Sequence, residues 1–467
     1  MRTRISDFKH QTSNFKLELL GPLVLTMLWF CPVSQAALKG GCAKVNITPP
    51  LGIKLIGSYG KPSDAIMDEL YARALVLSDG DNTVALVSAD LLYAPLEEIT
   101  NPVRAILQEK LALPGQNVMI CATHTHSGPE VFTRSKLPPK SRTVVPPLDQ
   151  SYLQTLVRKL ADSVLLACQD MRDVRIGAAT GALPEVLYNR RPTTNEGRVE
   201  MTFTVSAEIA ATRRVETAGE GCTRVVFTLP PERKPLTFGP VDPGVFAVRV
   251  EDTGGAMVGS VVGFGCHPVS IYPSLSTTIS ADYPAFAMRV VEQVEGGVSL
   301  FTLGLAGNTV PLQRGARPCA QMGRAVGAEA LKRLQLAATT GDATLKALSR
   351  EVIFPIKTAP STDGIEVQTA DSITTEIQVL KLGDIYVLGL PGEVLVEVGL
   401  AVKERAGVKN LLVVTCANDA IGYVCLREAY ERGGYEPDSG TDLAPGAGEI
   451  MVEQSLGLLE ELGQDGL

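Results

Sequence analysis

Apolar and polar positions along this chain switch repeatedly between the spacing of strands and that of helices. Thr83-Val84-Ala85-Leu86-Val87-Ser88-Ala89 is a nearly unbroken apolar run of strand length, which predicts a strand buried on both faces. Asn101-Pro102 supplies an N-cap and a first-turn proline for a helix running to about Leu111. Asn117 to Ala122 reads as the next strand. From Ser151 to Cys168, Leu153, Leu156, Val157, Leu160, Val164 and Leu165 recur at helical spacing. The stretch from Val174 to Gly265 carries short alternating segments broken by Gly and Pro, such as Val199 to Val205, and predicts mainly β structure. Helical spacing returns over 281–295 and 324–336. Segments 375–382 and 384–390 flank a Gly383 turn as a hairpin, a helix is expected to start near Glu393, and the last helix spans about 449–462. Residues 357–372 and 437–448 have the composition of mobile loops. The pattern as a whole predicts an α/β (mixed α+β) protein with interior sheets and no internal repeat.

Composition narrows the picture. A chain of 467 residues exceeds the ~250–300 at which single cores stop growing, so one multilayered domain or two lobes are the alternatives. The formal net charge of −8 and the lack of long basic runs exclude nucleic acid as partner. Residues 1–36 read as an export signal. Arg2, Arg4, Lys9 and Lys16 form a positive start, Leu19 to Phe30 an apolar stretch short for a bilayer, and Ser34-Gln35-Ala36 a small-x-small cleavage site. The mature chain would then be periplasmic or extracellular; an uncleaved anchor is the alternative. Eight cysteines remain after Ala36, without zinc-ribbon or C-x-x-C spacing, which permits either disulfides or buried free thiols.

Candidate chemistry lies in the histidines. The chain has four. His10 falls in the leader, His124 and His126 stand one residue apart in Thr123-His124-Thr125-His126-Ser127-Gly128-Pro129, and His267 lies in Gly265-Cys266-His267-Pro268. Both sites follow apolar strands, where loops converge. Neutral imidazole is the commonest zinc ligand, so metal-assisted hydrolysis is the chemistry to test, against a hydrogen-bonded structural pair. Two further strand-to-turn junctions are Leu390-Pro391-Gly392-Glu393 and Ala420-Ile421-Gly422-Tyr423. By composition alone Glu393 is a first-turn acid and Tyr423 a packed loop residue.

These segments together, with Asn189-Arg190-Arg191-Pro192, Ser280-Ala281-Asp282 and Gly434-Tyr435-Glu436, resemble the neutral/alkaline ceramidase family from about Gly41 onward. The most specific parts are Thr-His-Thr-His-Ser-Gly-Pro and the step from Tyr423 to Tyr435. The resemblance implies one large domain over 37–467, with stacked sheets flanked by helices and without the family's C-terminal immunoglobulin-like domain. It implies a secreted zinc amidase of sphingolipid metabolism that cleaves an N-acyl bond, with zinc-activated water attacking the carbonyl. Its zinc ligands would be His124, His267, Glu393 and Tyr423. His126 would lie near the reacting centre, Arg190 would contact the substrate or its oxyanion, and Tyr435 would line the pocket. A lipid or other N-acylated small molecule is the implied substrate, with peripheral membrane contact and no inferable protein partner. Asp282, at a helix start, is expected to be a structural or supporting acid and not a ligand. Where the family carries Gly-Asp-x-Ser-Pro this chain reads Gly307-Asn308-Thr309-Val310-Pro311, so Val310 replaces a serine. That departure predicts poor turnover of ceramide itself. It keeps open a hydrolase of another amide or ester and a non-catalytic envelope binding protein.

Overall fold

The computed structural model describes residues 37–58, 61–129, 147–217, 222–357 and 372–464. The leader 1–36 and most of the loop expected at 357–372 lie outside the described residues. Two sheets form the centre. The larger has eight strands in the spatial order Val298–Leu303, Met257–Phe264, Gly244–Asp252, Arg172–Ala182, Lys39–Asn46, Tyr71–Ser78, Thr83–Ala89, Val118–Ala122. Its two outermost pairs are parallel and the other pairs antiparallel. The smaller has four strands in the order Leu345–Pro355, Ser372–Leu382, Ile385–Gly389, Asn410–Val414, of which the last two are parallel.

The period of two along these strands explains the layering. In Tyr71–Ser78 and Thr83–Ala89 the small or branched Ala72, Ala74, Val76, Ala85 and Val87 join an apolar cluster under helices, whereas Leu75, Leu77, Val84 and Leu86 join a different one. That second cluster also holds Leu380, Leu382, Ile385, Val387, Leu412 and Val414 of the smaller sheet. The two sheets therefore stack face to face. Helices Asn101–Leu111, Pro147–Gln169, Tyr283–Glu295 and Ala316–Leu336 cover the outer face of the larger sheet through residues such as Val103, Leu160, Met288 and Val326. Val396–Arg405 and Ala447–Gln464 cover the smaller one through Val398, Val402, Met451 and Leu458. Each such fully buried aliphatic side chain contributes roughly 1.5–3 kcal/mol. Burial on both faces is why Thr83–Ala89 reads as one apolar run.

Three expectations change. No helix starts at Glu393: Glu393–Val394 is a short strand parallel to Tyr423–Val424, and the helix begins at Val396. The helix expected from 324 begins at Ala316. Residues 437–448 are packed, not loose. Leu443 is fully buried, and the Lys357 ammonium donates to the carbonyls of Pro437 and Thr441. Among the described residues no helix is long and apolar enough to cross a membrane, and the eight cysteines are free thiols.

The sheets are stitched together where the larger one ends at Val118–Ala122. The Ala122 amide donates to Cys416 O at 3.1 Å, the Asn418 amide to Ile120 O at 2.7 Å, and the Ile120 amide to Asn418 Oδ1 at 2.8 Å. This seam brings the loop after Asn410–Val414 against the loop that carries the paired histidines. Open α/β sheets bind ligands in such crevices beyond strand ends.

Candidate metal centre

Each candidate ligand sits just beyond a strand. His124 follows Val118–Ala122 with a backbone φ of +67°, a left-handed conformation that costs of order 1–3 kcal/mol for a side-chain-bearing residue and persists when its surroundings hold it. Here its amide donates to Leu91 O at 2.8 Å. His267 follows Met257–Phe264 and its amide donates to Thr309 O at 3.0 Å. Glu393 and Tyr423 are direct partners in the two-residue parallel ladder. Gly392 precedes that ladder at φ +75°, and a Cβ there would lie 2.5 Å from Gly422 O, so only glycine allows this approach.

The ring contacts fix which imidazole nitrogens face inward. His124 Nδ1 is 2.9 Å from Leu92 O and His267 Nδ1 is 2.8 Å from Ala306 O. A carbonyl only accepts, so both Nδ1 atoms carry a proton, and both Nε2 atoms face inward. The two Nε2 atoms lie 3.2 Å apart, and each is 3.2 Å from Glu393 Oε2. Three atoms that can each offer a lone pair thus meet in an equilateral triangle, and Glu393 Oε2 is buried with no well-aligned donor. The arrangement calls for positive charge: a proton on His124, or a metal ion in its place. Triangle edges of 3.2 Å match the ~3.3 Å between ligands on a tetrahedral ion with bonds of ~2.0 Å. His126 belongs to the same group: ring nitrogens of His124, His126 and His267 lie within 4.8 Å of one another. These residues fit a metal ion.

Charge supports the same reading. Burial, with the neighbouring imidazoles, holds His126 well below the usual histidine range, and burial brings His267 down to about 4, so both rings are neutral at pH 7. For Glu393 burial opposes ionisation, but the charge and hydrogen bonds of His124 and His267 outweigh it and keep the carboxyl well below its usual range. Burial opposes a charge on His124 as well, but Cys416 and Glu393 outweigh it and hold that ring well above the usual histidine range. A divalent ion would have to displace its proton; with His124 and His267 then both neutral, the three ligands would give a site of net +1.

Tyr423 and Arg190 form the next wall. The Tyr423 ring stacks on His267, with centroids 6.5 Å apart and 18° between planes. Arg190 Nη2 donates to Tyr423 Oη at 3.1 Å and to Gly307 O at 2.9 Å, while Nε donates to Glu436 Oε1 at 2.7 Å. Phe203, Tyr423 and Tyr435 surround its guanidinium at 5.4–5.9 Å. Arg190 is therefore buried and held in place within this wall. Tyr435 is 42% exposed at the mouth and contacts Tyr423 edge-on. The His126 ring is 5.1 Å from that of His124 and 5.9 Å from Tyr272, and its buried Nε2 has no partner.

The departures from the family pattern are structural in this fold. Val310 is fully buried in the helix-side apolar cluster, paired with Tyr188 across the ladder Leu187–Asn189 to Thr309–Pro311. Asn308 donates to Glu397 at 2.9 Å and accepts from the Val396 amide at 2.9 Å. Asp282 accepts from the Tyr283 amide at 2.7 Å, as a helix cap, and from the Ile271 amide at 3.0 Å, which anchors the loop after His267. It is a structural acid.

Sequence reasoning passed over Tyr93 and Glu436. The Tyr93 hydroxyl donates to Glu393 Oε1 and so aims Oε2 at the triangle. Tyr93 also lies just beyond a strand, Thr83–Ala89, and that position was its one signal. Outer contacts of this kind tune metal affinity. Tyr93→Phe is expected to weaken metal binding by about 10–100-fold in a competition titration with a chelator; unchanged affinity would remove Tyr93 from the site.

Residues 39–198 match the model of a family described as neutral/alkaline non-lysosomal ceramidase, N-terminal. The chain is similar in structure to neutral ceramidase from Pseudomonas aeruginosa, with a TM-score of 0.69 and 21% identity over 91% of this chain and 75% of that one. It is also similar to a ceramidase complexed with C2, with a TM-score of 0.70 and 19% identity over 91% and 76% of the two chains. The fold is thus shared with these two proteins, and this chain carries a histidine cluster able to hold a metal. The matched segment and the shared fold support a relation to the neutral/alkaline ceramidase family.

Proposed function

We propose that this protein is an exported zinc-dependent amidohydrolase that cleaves the N-acyl bond of a ceramide-type lipid. The observation that carries the proposal is the triangle of His124 Nε2, His267 Nε2 and Glu393 Oε2, 3.2 Å on each edge. These three residues would hold the ion, with Tyr423 on its remaining side. A bound zinc supplies Lewis-acid polarisation and a water acidified to near pH 7.

The chain's own groups do the rest. Leu92 O and Ala306 O lock the imidazole tautomers, and Tyr93 orients the carboxylate. Hydrolysis adds a water oxygen to the acyl carbon, breaks the C–N bond and delivers a proton to the departing nitrogen. His126, whose buried Nε2 has no partner beside the cluster, would relay that proton. Arg190 keeps a positive charge beside the Tyr423 hydroxyl where negative charge develops. Phe203 and Tyr435, each 42% exposed and in edge contact, offer the apolar surface an acyl chain needs at the mouth. With Val310 in the core, the serine it replaces does not by itself argue against ceramide. Residues 37–467 would be the catalytic domain, released after Ala36.

The test is turnover of a short-chain ceramide beside simple N-acyl amides by the purified protein, before and after chelation and zinc refilling. Zinc-restored release of the sphingoid amine is the expected result. Activity on simple amides alone would move the substrate away from ceramide. Zinc bound without turnover of any amide or ester would favour the binding-protein reading.

A further inference from the structure

A second cavity, of about 270 Å³, opens behind the Arg190 wall and is lined by Arg191, Arg224, Arg432, Glu397, Thr237 and Phe238, among others. Its charges do not cancel. Arg432 pairs with Glu428. Arg191 and Arg190 share the single carboxylate of Glu436, which leaves one positive charge over. Glu397 is the cavity's other acid, and it already accepts from Asn308 at 2.9 Å and Asn189 at 3.4 Å. Arg224, on the strand Thr223–Val226, has no side-chain hydrogen bond or ion pair among the described residues, and its Nε is buried without an acceptor.

Buried donors are nearly always satisfied, and a guanidinium presents a planar fork that matches an oxyanion in two places. With two uncompensated guanidinium charges against one carboxylate, the cavity favours an anion. Its volume of about 270 Å³ lies just below the ~300–1,000 Å³ of small-molecule sites, so the anion can be a free ion or the head of a larger molecule. We infer that this cavity is a binding site for a small oxyanion, a phosphate or a carboxylate, held chiefly by Arg224 with Arg191 as the second positive wall. The site is separate from the metal cluster, and its existence does not depend on the reaction proposed above.

Isothermal titration of the full-length protein with inorganic phosphate tests it, because no turnover is needed. Saturable binding at one site is expected, weakened about tenfold or more in Arg224→Ala, the effect of losing one charge-assisted pair. Arg224→Lys, which keeps the charge but loses the fork, should fall between. Arg213→Ala, at an exposed arginine, should bind as the parent does. Repeating the titration with acetate separates the sources, since the tighter of the two anions identifies the head group. Absence of saturable binding by either anion, or equal affinity in a folded Arg224→Ala protein, overturns the inference. If Arg224→Ala does not fold, undiminished affinity in Arg224→Lys and Arg432→Ala together overturns it.

Discussion

Glu393→Gln is expected to lose both metal and turnover, and to lose stability even when metal is absent. The carboxylate is the sole anion of the ligand triangle, and the amide that replaces it is nearly the same size. A divalent ion would then face two neutral imidazoles and a neutral oxygen in a buried site, so bound zinc should fall below about a tenth of an equivalent and turnover by at least ~10³. The stability half follows from charge. Without an ion, burial opposes ionisation, but His124 and His267 keep the carboxyl well below its usual range, so the ionised form contributes stability at pH 7. The amide gives that up and leaves the His124 charge without its partner. In excess chelator the variant should melt below the parent, and in zinc the gap should widen, because only the parent binds a ligand that stabilises the folded state. Thermal melts of both proteins in both conditions check both gaps. A variant that retains stoichiometric zinc, or that melts with the parent in both conditions, would show that the triangle is not built for an ion.

The strands that frame the site were legible because two-sided burial leaves a continuous apolar run, as in Thr83–Ala89, and because four histidines in a long chain make a pair conspicuous. The junction that unites Glu393 with Tyr423 was not. A two-residue ladder has no period to detect, and its partners lie thirty positions apart in the numbering. The acid therefore read as a helix start, and the family resemblance alone singled it out. Segment 437–448 misled for a related reason. Its Pro, Asp, Ser and Gly content is that of a loop, but Leu443 enters the core and Lys357 ties its carbonyls from another strand's end. Tertiary anchoring of that kind leaves no local mark. Glu436 shows the same limit. Beside Tyr435 it looks like an ordinary surface acid, yet it is fully buried between two arginines.

That burial makes Glu436→Ala the most damaging single change expected away from the ligands. Its carboxylate neutralises Arg190 through Oε1 and Arg191 through Oε2, and all three side chains are nearly inaccessible. Breaking a buried ion network by removing one partner leaves uncompensated charge in a poorly solvated place, at a cost of about 3–5 kcal/mol. That is a large share of the ~5–15 kcal/mol that holds a typical domain together. The denaturation midpoint should drop sharply, whereas Glu453→Gln, which breaks the exposed pair with Arg405, should leave it unchanged. Glu436→Gln keeps the volume and one acceptor, so it should fold and reveal the positioning role. Arg190 would lose its charged anchor, its Nη2 would wander from the Tyr423 hydroxyl, and turnover should fall by about 10–100-fold with KM little altered, since one oriented donor beside developing charge is weakened but not removed. A Glu436→Gln protein with full turnover would mean that Gly307 O and the aromatic faces hold Arg190 unaided; a Glu436→Ala protein with an unshifted midpoint would mean that the two guanidinium groups reach water once the acid is gone.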